Sequence, residues 1–235
     1  MSGWNVMRRG LGLVICLAPL TPGVAETWPS ALSRMPLGTN VAQLNRTNCV
    51  GLMLRALQSN DVVKALIFMP GATDEFYFFR RARADLPGGP ASLLTAVGAL
   101  TNQTLIQATF RAPLLLLHTT EDLLEPAITI KHARTARQLQ QGRFVPHGVY
   151  DDRDWNHLQP ILKSSLGTDM RPVLHSYDSW HFYRHSFAAW NLTGWEALEA
   201  TALAGQTSFT VRRKRVVFEL DKRPRLAPKV DSFPR

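Results

Sequence analysis

Ala99-Leu100-Thr101-Asn102-Gln103-Thr104 closes a stretch in which Leu93, Leu94, Val97 and Leu100 fall three and four residues apart, the spacing of one helical face. Beyond it Ile106, Ala108 and Phe110 alternate, Ala112-Pro113 interrupts the run, and Leu114 to Leu117 is continuously apolar. This order predicts helix, strand, turn, strand. Ala202-Leu203-Ala204-Gly205-Gln206-Thr207 matches the first motif at an offset of 103 residues. Around it Ala197, Ala200 and Leu203 supply a helix face, Phe209 and Val211 alternate, and Val216, Phe218 and Leu220 alternate in the opposite phase. The change of phase places a turn within Arg212-Arg213-Lys214-Arg215, because an unbroken strand keeps one parity toward the core. The fold class implied is α+β: repeated α-β-β units forming two small modules, with helices packed on antiparallel or mixed sheets.

The rest of the chain is organised around these two stretches. From Cys49, the residues Leu52, Leu54, Ala56 and Leu57 suit a helix, and Val62, Val63, Ala65, Ile67 and Met69 suit a strand. Pro70-Gly71 and the run Phe76 to Phe79 add a turn and a second strand, so residues 46–139 form the first module. Residues 140–149, with Gly142, Pro146 and Gly148, make a polar linker. Residues 150–221 form the second module, with a helix that Pro160 enters at its first turn and that carries Leu158, Ile161, Leu162 and Leu166. Residues 26–45, with Pro29, Pro36 and Gly38, read as an extended lead-in, and 222–235, with Pro224, Pro228 and Pro234, as a basic disordered tail.

The first 25 residues have the layout of a signal peptide: Arg8 and Arg9, an apolar run from Leu11 to Leu20, and the small-residue exit Gly23-Val24-Ala25. The run is about half the ~20 residues that span a bilayer as a helix, so the expectation is cleavage after Ala25 and a periplasmic or extracellular protein. Removal of Cys16 with this segment leaves Cys49 alone and no intramolecular disulfide, so the fold rests on its apolar core. No second stretch is apolar enough to suggest a transmembrane segment in the mature chain. Loss of two arginines takes the formal charge from +9 to +7. Nine Lys or Arg from Arg212 onward face only Glu219, Asp221 and Asp231, so the basicity is a C-terminal property. Such a cluster attracts anionic lipid headgroups, cell-wall polymers or nucleic acid, and export disfavours nucleic acid.

Leu100-Thr101-Asn102-Gln103-Thr104, and more fully Ala202-Leu203-Ala204-Gly205-Gln206-Thr207 followed by Phe209 and Val211, resembles the short N-terminal domain (STN-like) of secretins and TonB-dependent receptors. In that family a helix ends in a Leu-Ala-x-Gln-Ser/Thr pattern and runs into a strand. The resemblance covers about 25 residues at each copy and implies contact with other envelope proteins.

Three chemistries compete with a binding role. Ala112 to Asp122 resembles the strand and acid loop of an α/β hydrolase, with His118 and Asp122 as its titratable groups. The Gly-x-Ser-x-Gly elbow that exposes a serine nucleophile occurs nowhere in the chain. His181 and His185 are four residues apart and would share one side of a helix, making them the only metal candidates. Helical spacing over 179–191 makes Trp180, Tyr183, Phe187 and Trp190 a core stripe with the histidines on its flank, and leaves Phe182 outside it as a candidate ligand contact. With Tyr177 and Trp195 the segment is aromatic enough for a glycan surface. Asn45, Asn102 and Asn191 begin Asn-x-Thr triplets, two of them at expected helix ends where both residue types are common.

No catalytic set is complete and no cofactor is implied. The expectation is an exported, non-enzymatic protein that binds an envelope protein or an anionic envelope polymer through Arg212, Arg213, Lys214 and Arg215, with 216–220 as an edge strand open to a partner strand. The alternatives are a secreted hydrolase or metal-dependent enzyme, and a cell-wall glycan-binding module.

Overall fold

A computed structural model describes residues 26–38, 40–69, 82–119, 124–142, 148–153, 155–173, 185–205, 207–219 and 225–226. The chain is α+β, and its two main sheets draw strands from both halves of the sequence. The larger sheet runs β4 (Gln107–Arg111), β5 (Leu114–His118), β2 (Ala65–Met69), β10 (His185–Ala189), β8 (Gly148–Arg153). β5 and β2 are parallel and the other neighbours antiparallel. Every residue of β2, β5 and β10 is buried, the condition of strands covered on both faces, and this explains their unbroken apolar runs.

Alternation assigns each side chain of this sheet to one of two cores. Leu66, Phe68, Leu115, Leu117 and Ala188 join α1 (Trp28–Ser33), α2 (Cys49–Ala56) and α3 (Leu93–Gln103) on one face. Ala65, Ile67, Leu114, Leu116, Phe187 and Ala189 join α4 (Ala133–Gln141), α5 (Trp155–Leu166) and α6 (Gly194–Ala204) on the other. α6 starts in a capping box: the Thr193 N–H donates to Glu196 Oε2 at 2.7 Å, and the Glu196 N–H donates to Thr193 Oγ1 at 3.2 Å. Gly194, Ala197, Leu198, Ala200, Thr201, Ala202, Leu203 and Ala204 are all buried, so this helix is enclosed around most of its circumference. Its small side chains let it approach the large sheet, while its Trp195 meets Phe209 of the second sheet at 5.6 Å.

The second sheet runs β7 (Ile128–Ile130), β11 (Ser208–Arg212), β12 (Arg215–Glu219), β9 (Asp169–Val173). β11 and β12 are an antiparallel hairpin, flanked by β7 parallel to β11 and β9 parallel to β12. Phe209, Val211, Val216, Phe218 and Met170 face the second core. Two small ladders, β1 (Gln43–Leu44) with β3 (Ala84–Asp85) and β6 (Leu124–Glu125) with β13 (Arg225–Leu226), complete the described strands.

Several sequence expectations change. Both quoted stretches have the order helix, hairpin, but equivalent elements lie 101 residues apart, from the caps Ser92 and Thr193 to the strands at 107 and 208 and at 114 and 215. The motifs are therefore two residues out of step: Gln103 ends α3, whereas α6 ends at Ala204, before Gln206. Caps and strand pairing set the element bounds, and the letter match does not. Nor is the unit self-contained, since β8 and β10 sit in the larger sheet and β7 in the smaller, across the division at 140–149. β8 itself begins inside that linker. The lead-in contains α1, with Pro29 in its first turn, and Arg225 and Leu226 of the tail pair with Leu124 and Glu125. Pro160 lies inside α5, as its sixth residue. Its absent N–H removes one bond to the carbonyl of the exposed Asn156, which water can satisfy.

Burial also settles the one cysteine among the described residues. Cys49 is fully enclosed in the first core, and burial pushes its thiol up to about 12.

Candidate binding surface

The β11–β12 register pairs Arg212 with Arg215 and leaves Arg213 and Lys214 as the two-residue turn that the phase change required. All four side chains are exposed, because the strands carry their apolar residues inside and end in charge. Lys214 has φ 62°, in the left-handed region that favours glycine. Lys214→Gly is expected to raise stability by about 0.5–1 kcal/mol, measured by denaturant unfolding, since relief of that conformation exceeds the entropy glycine adds to the unfolded chain.

Sheet pairing brings further cations to this tip. The Lys131 N–H, just beyond β7, donates to the Val211 carbonyl at 2.9 Å, so Lys131 lies beside Arg212. On the other side Arg215 is in register with Asp169, whose N–H donates to the Lys214 carbonyl at 3.2 Å. Asp169 meets Arg171 Nε at 2.9 Å and Lys163 Nζ of α5 at 3.4 Å. The Arg171 hydrogen bond, with help from Lys163, holds the Asp169 carboxyl below the usual range, so it remains a carboxylate well into acid. By strand parity Arg171, Arg212, Arg215 and Asp169 share the face of the sheet opposite Val211 and Val216. Seven exposed cations, Lys131, Lys163, Arg171, Arg212, Arg213, Lys214 and Arg215, thus gather at this end of the sheet, and among the described residues Asp169 is the carboxylate placed with them, a formal +6 for these eight groups. Ile130, 51% exposed, stands at the same end of the sheet.

Lys131, Lys163 and Arg171 had no signal in the sequence. None of them adjoins the 212–215 run, and the parallel pairings β7–β11 and β9–β12, with the Lys163–Asp169 ion pair, bring them to the hairpin. The edge expected at 216–220 is not one, because β12 has β11 on one side and β9 on the other. The edge strand β9 contains Pro172 and Arg171, both of which discourage further pairing.

The other candidates part company. Phe182 and His181 lie outside the described residues, as does Asp122. His185 is the first residue of the interior strand β10 and is fully buried, so it does not lie on a helix one turn from His181. Residues 185–189 form a strand because both faces are covered, a condition that spacing of aromatics along the chain does not reveal. The His185 ring lies 6.2 Å from Trp155, and it packs so closely on Gly205 that a Cβ there would overlap the imidazole. Gly205→Ala is accordingly expected to lose about 1–3 kcal/mol in thermal or denaturant unfolding. His118 ends β5, buried, with Nε2 at 3.0 Å from Thr109 Oγ1. No group of three His, Cys, Asp or Glu suited to a metal ion occurs among the described residues. The described aromatics of the proposed glycan segment have partners within the fold: buried Phe187 on Tyr150 at 4.7 Å, half-buried Trp190 with Nε1 donating to the Leu57 carbonyl at 2.8 Å, and half-buried Trp195 on Phe209.

No helix among the described residues is long and apolar enough to cross a membrane. Comparison with known protein families, with curated proteins and with solved structures finds no match for this chain.

Proposed function

We propose that this is an exported, non-enzymatic protein that holds an anionic envelope component at the basic end of its four-stranded sheet. One observation carries the reading: seven exposed cations, contributed by four separate stretches of the chain, gather at one end of one sheet, where Asp169 is the carboxylate placed with them among the described residues. Like charges brought together by folding repel one another, and an anionic partner removes that cost. Export rests on the layout of residues 1–25, and the resemblance of 100–104 and 202–207 to the secretin and TonB-dependent receptor domain fits an envelope partner.

Titration with a fluorescent soluble polyanion such as polyglutamate tests the binding. The full chain should bind at low salt, and Arg212→Gln, Arg213→Gln, Lys214→Gln and Arg215→Gln combined should weaken it strongly. Equal binding by the two proteins would sink the proposal. Export has its own test: a reporter enzyme fused behind residues 1–25 should be secreted and begin at Glu26, and retention of the intact fusion inside the cell would remove that part.

A further inference from the structure

We infer that the anionic partner is the surface of a phospholipid membrane, met by the basic end of the four-stranded sheet with Ile130 entering the headgroup region. This deepens the binding role proposed above and rests on it.

The arrangement suits a plane better than an enclosed ligand. A small-molecule site needs polar groups converging in a concavity. Here the cations occupy the ends of adjacent strands and a projecting two-residue turn. At about 4.8 Å per strand, the row from Lys131 through Arg212 and Arg215 to Asp169 is about 14 Å long, with Arg213 and Lys214 beyond it and Lys163 and Arg171 beside it. A row of this kind faces many phosphates of a bilayer at once. Long Lys and Arg stems reach the phosphates while the strands stay above the surface.

Ile130 separates a membrane from an acidic polymer. Ile130 ends β7 on the face it shares with Val211, opposite that of Arg212, and at this end of the sheet it is half exposed; such a side chain gains nothing from a soluble polyanion, but gains from the boundary between headgroups and acyl chains when the strand ends meet a bilayer. Asp169 adds no competing switch near neutral pH: a carboxyl is ionised there, and Arg171 and Lys163 move its titration further into acid.

Co-sedimentation of the full chain with phosphatidylcholine vesicles, with and without phosphatidylglycerol, tests the inference. The anionic vesicles should bind more, and because Arg8 and Arg9 beside the apolar segment 11–20 also favour anionic lipid, the tip substitutions assign the increment to the sheet. Neutralising Arg212, Arg213, Lys214 and Arg215 to Gln should lower the partition onto anionic vesicles about 100- to 1,000-fold. Ile130→Ser should lower it about threefold while leaving polyglutamate binding unchanged. If the four-residue variant fails to fold, salt decides on the unmodified chain: the anionic increment should vanish by about 0.5 M NaCl. Equal binding to both vesicle types, or an Ile130→Ser protein indistinguishable on vesicles, would overturn the inference. Polyglutamate binding without any vesicle preference would overturn it too, yet leave the proposed binding role standing.

Discussion

Phe209→Ala is expected to lower the stability of the whole chain by about 3–5 kcal/mol, and to make Cys49, in the opposite core, reactive at correspondingly lower denaturant. Phe209 is fully buried, 5.7 Å from Phe218 and 5.6 Å from Trp195, and its strand pairs with β7 and β12. Truncation leaves a cavity bounded by rings that cannot collapse into it without moving α6. The consequence for Cys49 follows from the larger sheet, whose alternating side chains enter both cores, so loss of the second core uncovers one face of β2, β5 and β10. Cys49 in the native chain should resist thiol reagents at mildly alkaline pH, being enclosed and titrating only at about 12, and should react fully once unfolded. Labelling across a denaturant series, with tryptophan fluorescence alongside, should show both midpoints moving together in Phe209→Ala. A fluorescence midpoint that moves while Cys49 protection stays put would mean two independently folding modules, the division expected at 140–149 from sequence.

The second large effect concerns charge. Replacing Lys131, Lys163 and Arg171 together with Gln should weaken polyanion binding about 10- to 100-fold at low salt, and salt should erase most of the difference. None of the three is near Arg212 in sequence. If the tip acted alone, this triple variant would bind normally. Folding should be little affected, because all three side chains are exposed and surface ion pairs such as Lys163–Asp169 contribute little. An undiminished affinity in the triple variant would confine the binding surface to the hairpin.

Local chemistry alone determined a good deal of this protein. Apolar spacing at Leu93, Val97 and Leu100 marked α3, the phase change between Phe209–Val211 and Val216–Phe218 marked the hairpin, and the hairpin put Arg212 to Arg215 at an exposed turn. Such signals survive in one dimension because helix face and strand face are periodic along the chain. Tertiary structure decided the rest. It made residues 185–189 an interior strand and buried His185, removing the helical pair with His181. It enclosed β12 between two neighbours and closed the expected edge. It interleaved strands from both halves, and it carried Lys131, Lys163 and Arg171 to the tip. The physical reason is common to all four: which strands become neighbours depends on pairing between segments tens of residues apart, and no periodicity within a segment records its partner.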